Sequence, residues 1–430
     1  MASRRLVVFL LLAAALVGAV VTGRDLFFNL FYLWLTLVVV AVLWTWLGLR
    51  GIRLARHTRA LRAQVGRPLE ERLAVRNLSR LPKLWLEVRD HSDLPGHEAS
   101  LVVMSLGARS ERTWVVRTIC RQRGRFRLGP LTLTSGDPFG LFQISRHVPQ
   151  TTHVVIYPAT VELRDFTLPL GVLSGGDALR RRTHYVTANA SGVRDYAPGD
   201  SFNRIHWAST ARRDRLIVKE FELDPQADIW LFLDGDEAAQ AAQPLPALEA
   251  SADDALWTGW QNRVVTLPPS TEEYGVTITA SLAQFFIRRD RSVGLVAYGQ
   301  SREIVQPDRG ERQLTKLLET LAVFHSRGRM RFSDALAVES DQIPRGASVI
   351  LVTTSWDMRW VVAAQALKRR GLRVAAVVLN PQSFGGARDN ADLVGALWAV
   401  GIPAYRVNNG DDLASALTTG SWMARHYDTR

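Results

Sequence analysis

Two long apolar runs at the start of the chain limit what it can fold into more than any other feature. Residues 6–23 are 18 positions without a charge, and residues 26–49 are 24 more, with only Arg24 and Asp25 between them. A bilayer core about 30 Å thick is crossed by roughly 20 apolar helical residues. Because a segment inside lipid must satisfy its own backbone hydrogen bonds, both runs are predicted to be helical. Together they predict a transmembrane helical hairpin.

The basic residues that flank the two runs predict which side of the membrane the rest of the chain occupies. Arg4 and Arg5 precede the first run, and five arginines follow the second run between positions 50 and 62. Because positive charge stays cytoplasmic, both termini and the soluble domains are expected in the cytoplasm, at the cell membrane. The alternative is a cleaved signal peptide in the first run. The longer second run and the basic cluster after it favour a membrane anchor, made of residues 1–62, rather than a signal peptide.

The charge and the cysteine content of the chain argue against a nucleic-acid partner and against an internal disulfide. The net charge of +12 is concentrated in the anchor, since residues 1–62 hold eight arginines and one aspartate. The juxtamembrane arginines are expected to meet anionic lipid headgroups. The other 368 residues hold 45 basic and 40 acidic groups and show no nucleic-acid binding motif, so no nucleic-acid partner is expected. The single cysteine, Cys120, excludes an internal disulfide and fits a reducing compartment.

Residues 66–165 predict a small antiparallel β-sandwich. Apolar and polar residues alternate in short runs, and turn signals such as Gly124 and Gly129-Pro130 interrupt them. Short strands separated by turns are typical of such a fold. Residues 166–225 are predicted to form a connector. The predicted strands cover residues 73–77, 84–89, 114–119, 125–128 and 131–134.

Residues 226–424 predict an α/β domain with a Rossmann-like sheet. Continuous apolar runs at 229–233, 293–297, 349–352 and 374–379 are typical of parallel strands that are buried on both faces. Helical stretches separate these runs, so right-handed crossovers are expected. The segment 237–270 is interpreted as a surface excursion. The predicted helices cover residues 272–289, 311–324, 358–370, 389–400 and 411–424.

The densest unusual stretch of sequence lies in the connector. It runs from Gly192 to Trp207 as GVRDYAPGDSFNRIHW and is followed by Ala211-Arg212. A turn is predicted at Pro198-Gly199, and Asp200 is predicted to cap a short helix that carries Arg204, Ile205 and Trp207. The stretch resembles the signature of the domain of unknown function 58 family, Gly-x-Arg-x-Tyr-x-x-Gly-Asp followed by Ile-x-Trp and Ala-Arg. The segments 124–130, 137–142 and 270–274 are similar to other parts of that family.

This resemblance implies an α/β domain similar to von Willebrand factor A behind a membrane hairpin. Proteins of this family are often found beside MoxR-type AAA+ ATPases, which implies an adaptor with an AAA+ ATPase as its partner. Two roles stay open for the signature: a scaffold that holds the connector, or a docking face for a partner or an anion. The candidate docking residues are Arg194, Tyr196, Gly199, Asp200, Arg204, Trp207 and Arg212.

The likeness to von Willebrand factor A also raises the question of a Mg²⁺ site. Such domains carry Asp-x-Ser-x-Ser after the first strand, at the edge of the sheet where open α/β sheets bind ligands. Here the motif reads Asp234-Gly-Asp236-Glu-Ala238, so one serine is replaced by an oxygen donor and the other by a residue that cannot ligate. The distant aspartate of such sites is missing as well, since residues 353–355 are Thr-Thr-Ser. The metal hypothesis is a degenerate adhesion-type site that holds Mg²⁺ weakly through Asp234, Asp236 and Thr354.

The sequence contains no recognised catalytic constellation. It has no H-E-x-x-H, G-x-S-x-G or Walker A motif, and Cys120 is interpreted as a small core residue. The chain is therefore expected to be a membrane-anchored interaction module rather than an enzyme. The alternatives are a metal-dependent hydrolase that uses Asp234 and Asp236, and a purely structural envelope protein.

Overall fold

The chain divides into two compact units, Met1–Ala159 and Thr160–Arg430. The computed structural model describes residues 2–166, 190–196, 205–221, 228–244 and 267–418. Each unit has its own buried apolar core.

Two apolar helices open the first unit, as the sequence predicts. Helix α1 (Ala2–Thr22) and helix α2 (Asp25–Gly48) pack against each other. Gly23, with φ of +61°, ends the first helix in a conformation that favours glycine. Both helices are long and apolar enough to cross a membrane, by length and composition. Only 11% and 6% of their most apolar windows are buried, whereas an apolar helix in a soluble core would be mostly buried.

Ten strands follow α2 and form small sheets. Two sheets are antiparallel, with the orders β1-β3-β6 and β5-β4-β8-β9. In the third sheet, β10 pairs with β7 antiparallel and with β2 parallel. The two antiparallel sheets share one core, in which Leu73, Leu86 and Leu133 are fully buried. The strands are β1 (Ile52–Thr58), β2 (Arg62–Gln64), β3 (Pro68–Asn77), β4 (Leu86–Asp90), β5 (Leu101–Val103), β6 (Glu111–Ile119), β7 (Gly124–Leu128), β8 (Leu131–Gly136), β9 (Gln143–Val148) and β10 (Thr152–Tyr157).

Strand β1 lies in the basic segment that the sequence analysis assigned to the anchor. It pairs with β3 along its whole length, and Ile52 is buried in the shared core. The arginines at 53, 56 and 59 come at every third position, so they hide the alternation that marks a strand. Strand β9 was not predicted. Most of its residues are exposed, as is common at a sheet edge, so it lacks the alternation of buried and exposed residues that marks a strand.

The second unit contains a six-stranded mixed sheet with the order β15-β14-β13-β16-β17-β18. All neighbouring strands are parallel except β15, which runs antiparallel to β14 at one edge. The strands are β13 (Ile229–Asp234), β14 (Val293–Tyr298), β15 (Arg302–Asp308), β16 (Ser348–Thr353), β17 (Arg373–Leu379) and β18 (Ala404–Val407). The helices are α4 (Thr271–Ile287), α5 (Gly310–Val323), α6 (Phe332–Ser340), α7 (Arg359–Arg369), α8 (Ala391–Ala399) and α9 (Leu413–Ala416).

Helices cover both faces of this sheet, which explains its continuous apolar strands. One core packs α4, α5 and α9 on the sheet, and the other packs α6, α7 and α8 on the opposite face. The four predicted strands and the first four predicted helices are confirmed within two residues at each end. Strands β15 and β18 and helix α6 were not predicted, and the helix predicted at 411–424 is described only as α9. Of the predicted excursion, residues 245–266 lie outside the described residues.

Candidate functional site

Asp234 lies at the point of the sheet where α/β folds most often bind ligands. It is the last residue of β13, which pairs with β14 on one side and with β16 on the other. The chain leaves β13 toward β14 on one side of the sheet, and β16 continues toward β17 on the other side. Such a reversal of strand order opens a crevice at the carboxyl ends of the two central strands. Asp234 and Thr353, the last residue of β16, face each other there.

The carboxyl of Asp234 is buried and hydrogen-bonded on both oxygens. The hydroxyl of Thr353 donates to Oδ2 at 2.6 Å, and the backbone N–H of Asp236 donates to Oδ1 at 3.0 Å. Burial raises the pKa of Asp234 to about 6, although these bonds and the backbone N–H of Thr354 favour the charged form. The side chain that meets Asp234 is therefore Thr353, whereas Thr354 contributes its backbone.

Gln240 fills the space beside Asp234 with an amide group. Its Nε2 donates to the hydroxyl of Thr354 at 3.2 Å, and its Oε1 accepts from the hydroxyl of Thr271 at 2.6 Å. The same hydroxyl of Thr271 accepts from the backbone N–H of Ala241 at 3.0 Å. This network joins the loop after β13 to the start of α4 and uses the hydroxyl of Thr354, one of the three side chains of the metal hypothesis.

Glu272 holds another loop over the site. Its Oε2 accepts from the backbone N–H of Ser326 at 2.8 Å, and its Oε1 lies 3.2 Å from Nδ1 of His325. The hydroxyl of Ser326 is buried and has no hydrogen-bond partner among the described residues. Together with Asp234 and Thr353, Glu272 and Ser326 line a small closed cavity.

The residues present do not fit a hydrated Mg²⁺ ion. Mg²⁺ in proteins keeps several of its waters, but the cavity beside Asp234 is too narrow to admit a water molecule. Asp236 accepts from the backbone N–H of Ala238 at 3.1 Å, so it also serves as a local cap. Among the described residues, no three His, Cys, Asp or Glu side chains form a group that could hold a metal ion. The arrangement is a hydrogen-bonded polar cluster in which burial raises the pKa of one carboxyl, that of Asp234, toward neutral pH.

The signature stretch folds as a strand pair that carries a short helix. Strand β11 (Ala190–Asp195) pairs antiparallel with β12 (Ile217–Phe221), and helix α3 (Trp207–Arg213) lies between them along the chain. The prediction that the short helix includes Ile205 is wrong. Ile205 is buried and forms a β-bridge with Val218, so the helix begins only after it.

His206 caps α3, a role that the sequence analysis gave to Asp200. Its ring Nδ1 accepts from the backbone N–H of Ser209 at 3.2 Å, and its own backbone N–H donates to the carbonyl of Ile217 at 2.8 Å. Of the predicted docking residues, Gly199, Asp200 and Arg204 and the side chain of Arg194 lie outside the described residues.

The described part of the signature presents a large exposed aromatic residue. Trp207 is 67% exposed, so it is not a core residue of this unit. Arg212, at the other end of the same helix, is exposed too. Tyr196 is half-buried, and its backbone N–H donates to the carbonyl of Leu216 at 2.9 Å. An exposed ion pair joins Arg215 to Asp195 at 3.0 Å.

Sequence reasoning located Asp234 and Asp236 but missed the side chains that surround them. Thr353 was placed after its strand rather than at its end, and Gln240 lay in a segment interpreted as an excursion. Glu272 falls in the segment 270–274 that is similar to the family, and this was the one signal that pointed to it. Long-range hydrogen bonds between loops have no local pattern in a sequence.

Comparison with known proteins confirms the resemblance seen in the sequence. The model of the family "Protein of unknown function DUF58" matches residues 192–243. The uncharacterized protein YeaD of Bacillus subtilis (strain 168) is 24% identical over 336 residues, which cover 75% of this chain and 75% of that protein. The family match spans both Trp207 and the two aspartates at the end of β13, so both candidate clusters lie within it.

Solved structures give only low likenesses. The CARDB domain of the PF1109 protein from Pyrococcus furiosus has a TM-score of 0.20 and 17% identity, and the match covers 24% of this chain and 91% of that one. The alkylpurine DNA glycosylase AlkC of Pseudomonas fluorescens has a TM-score of 0.18 and 12% identity, with 32% and 41% covered. Likenesses of this size carry no argument about the fold or the function of this chain.

Proposed function

We propose that this chain, whose residues 192–243 match the family of proteins of unknown function DUF58, is a membrane-anchored interaction module that docks a protein partner in the cytoplasm. The observation that carries the proposal is Trp207, which is 67% exposed on α3 within the matched segment. Tryptophan and arginine are the residues that most often dominate the energy of a protein interface. Arg212 on the same helix offers the second of these residue types.

The anchor in this proposal is the pair α1 and α2, which crosses the membrane twice. Their exposed apolar surfaces would be costly in water and are favourable in lipid. Arg4 and Arg5 in the first turns of α1 and the arginines after α2 favour a cytoplasmic position for both termini. In this arrangement the α/β domain faces the cytoplasm. So does the β-rich domain of residues 66–165, which is proposed to be a sandwich.

The α/β domain is proposed to be similar to von Willebrand factor A. Its strand order, with an antiparallel strand at one edge of a parallel sheet, supports this assignment. The cluster at Asp234 is interpreted as a structural cap at the ligand edge, because its carboxylate and hydroxyl oxygens are committed to hydrogen bonds. The proposed activity is binding rather than catalysis.

The proposed partner is a MoxR-type AAA+ ATPase. The proposal rests on the family resemblance, because proteins of this family are often found beside such ATPases. This chain carries no Walker A motif, so the ATP requirement of the assembly would belong to the partner.

The test is affinity purification of the full-length protein from its native membranes in mild detergent, with and without ATP, followed by mass spectrometry. An ATPase recovered in near-stoichiometric amount is the expected result, and Trp207→Ala should weaken its capture about 30-fold, as for a hot-spot residue. The matched controls are Val362→Ala and Arg345→Ala, two exposed positions of the same unit. Equal capture by Trp207→Ala and the controls would remove α3 as the docking face, and recovery of no ATPase in either nucleotide state would overturn the adaptor proposal.

A further inference from the structure

A cavity of about 410 Å³ that is open on one side lies where the two apolar helices meet the loop between β8 and β9. Its walls are apolar, and one of the described residues that line it carries a charge. The lining side chains are Arg4, Val7 and Val8 of α1, Trp34 and Leu37 of α2, and Phe139 and Leu141 of the loop. A ligand that fits such walls has a long apolar part and an anionic group at one end.

The loop that forms one side of the cavity has a fixed shape. Asp137 is buried, and its carboxylate accepts from the backbone N–H groups of Phe139, at 2.8 Å, and of Phe142. The carbonyl of Asp137 also accepts from the N–H of Gly140 at 3.1 Å. This tight turn leaves Phe139 half exposed beside the apolar helices. An exposed phenylalanine in that place is typical of a residue that enters the boundary layer of a membrane.

The two arginines at the start of α1 have different roles. Arg5 donates a hydrogen bond from Nε to the carbonyl of Leu141, and its guanidinium lies 5.4 Å from the centre of the Phe142 ring. Arg5 therefore fastens the loop to α1. Arg4 is exposed, and no described residue accepts a hydrogen bond from its guanidinium. Arg4 is thus the cation that remains available to a ligand in the cavity.

The cavity lies at the depth of lipid headgroups if α1 and α2 cross the membrane as proposed above. Ala41, Thr45 and Gly48 lie on one face of α2 and are buried within the first unit, so protein covers that face of the last turns of this helix. The part of α2 that precedes this covered face, residues 25–40, spans about 24 Å at 1.5 Å per residue. Arg4 and the loop then fall at the cytoplasmic edge of the hydrocarbon layer.

We propose that this cavity binds an anionic phospholipid from the cytoplasmic leaflet, with its phosphate group on Arg4 and an acyl chain against α1 and α2. The positive charge of Arg4 complements the phosphate group, and the apolar side chains of Val7, Val8 and Leu37 complement the acyl chain of the lipid. A soluble anion would use Arg4 alone and would leave the apolar walls in contact with water. This inference rests on the proposed membrane anchor.

The test uses the full-length protein, purified in mild detergent and stripped of lipid, in native mass spectrometry with added phosphatidylglycerol or phosphatidylcholine. We expect one retained phosphatidylglycerol and weaker retention of phosphatidylcholine. Arg4→Gln should lower phosphatidylglycerol retention about fivefold, since one arginine near an anionic headgroup is worth about a factor of that size. Arg4→Lys should keep it, because the charge is kept. The matched controls are Arg24→Gln at the opposite end of the helices and Arg53→Gln on β1, both exposed.

Three results would overturn the lipid site. The first is that Arg4→Gln retains phosphatidylglycerol as well as the wild-type protein does, and the second is that Arg24→Gln and Arg53→Gln lose as much retention as Arg4→Gln. The third is displacement of the lipid by millimolar inorganic phosphate, which would indicate a site for anions in general. Failure of the anchor is detected separately by alkaline carbonate extraction of native membranes. Release of the wild-type protein by carbonate would reject the anchor, whereas a pelleted protein that shows no lipid preference would reject only the lipid site.

Discussion

Asp234 shows how one buried carboxyl can be both structural and sensitive to pH. Burial favours its neutral form, and its hydrogen bonds from Thr353 and Asp236 favour its charged form. Burial prevails, so its pKa in the folded chain is about 6, above the 3.8 of an ordinary aspartate. The folded state therefore binds more protons than the unfolded state between these two values. The contribution of Asp234 to stability is fully present below pH 3.8 and is lost as the pH rises through 6.

Replacing Asp234 with asparagine should stabilise the protein at neutral pH. The asparagine oxygen can still accept from the N–H of Asp236, and its amide can donate to Thr353. Because asparagine cannot ionise, the free energy of unfolding at pH 7 should rise by about 3 kcal/mol at most, and the loss of stability between pH 4 and 7 should shrink. Chemical unfolding of the full-length protein in detergent, measured from pH 4 to pH 8, checks this.

The control for this variant is Asp341→Asn, because the side chain of Asp341 is 91% exposed and its replacement should leave the pH dependence unchanged. A large loss of stability in Asp234→Asn at pH 7 would contradict the structural interpretation. It would mean that the folded protein needs a negative charge at this position, as a bound cation would require, and EDTA should then destabilise the wild-type protein.

A buried ionic cluster links the two antiparallel sheets of the first unit. Arg56 of β1 contacts Asp90 of β4 at 2.7 Å and Glu71 of β3 at 3.5 Å. Nε2 of His97 lies 3.1 Å from Glu71 and 3.2 Å from Asp90, and all four side chains are almost fully buried. Burial alone would lower the pKa of His97, but hydrogen bonds with both carboxylates raise it. Protonated His97 makes the cluster electrically neutral.

His97→Gln should therefore destabilise the first unit strongly. Without the imidazolium, Arg56 is left to balance two buried carboxylates, and removing one partner of a buried pair costs about 3–5 kcal/mol. The stability that His97 contributes in the wild type is present below pH 6.5 and is lost as the pH rises through its raised pKa, so the variant should lack this alkaline decline. Unfolding curves of the full chain at several pH values measure both effects. His147→Gln, at an exposed position on β9, should change neither.

At the scale of elements, the end of α2 is the joint between the apolar helices and the sheets of the first unit. Lys83 donates from Nζ to the carbonyl of Leu47 at 2.6 Å and so satisfies a carbonyl group that the helix leaves free. Gly48 comes so close to β8 that an added Cβ would lie 2.6 Å from Oγ of Ser135. The small side chains of Ala41 and Thr45 on the same face also allow this close contact.

Gly48→Ala should therefore destabilise the protein even though alanine favours a helix. Overpacking of this kind costs about 1–3 kcal/mol, which exceeds the gain of up to ~1 kcal/mol in helix propensity. Gly395→Ala in α8 is the matched control, because an added Cβ there would meet no atom within 4 Å and should stabilise the protein. Thermal unfolding of both variants in detergent should give shifts of opposite sign. A stabilised Gly48→Ala would mean that α2 is not packed closely on β8.

The elements that could be predicted are those whose own sequence is almost entirely apolar. Strands β13, β14, β16 and β17 are continuous apolar runs, and α1 and α2 are long runs without charge, so composition alone identifies them. Strands β1 and β9 and the edge strand β15 could not be predicted, because their exposed positions carry arginine and other polar residues. Such strands form through pairing with a neighbour, which depends on tertiary contacts rather than on local pattern.

The candidate site was predictable only in part, for a similar reason. Asp234 follows a clear strand, so its place at the edge of the sheet could be derived from the sequence. Its partner Thr353 and the amide of Gln240 come from segments 119 and 6 residues away in sequence, respectively, and only the fold brings them together. The exposure of Trp207 was also beyond sequence reasoning, since tryptophan is highly buried on average and no local pattern marks an exposed one.

At the scale of the whole molecule, the proposed function depends on which side of the membrane each segment occupies. Cys120 makes this measurable, because burial raises the pKa of its thiol to about 11 and leaves it unreactive toward maleimides. The wild-type chain is thus its own unlabelled control. A new cysteine at an exposed position should then report the location of that position without a cysteine-free background.

Arg24→Cys, between the two apolar helices, should react with a membrane-impermeant maleimide in intact cells, because the proposed topology puts this turn on the outer side. Asp341→Cys, on the surface of the second unit, should react only after the cells are lysed. Labelling of Asp341→Cys in intact cells would reject the cytoplasmic placement of the α/β domain and with it an ATPase partner in the cytoplasm. If Arg24→Cys also required lysis, the helices would not cross the membrane, and their apolar surfaces would have to be buried against another protein or lie along one face of the bilayer.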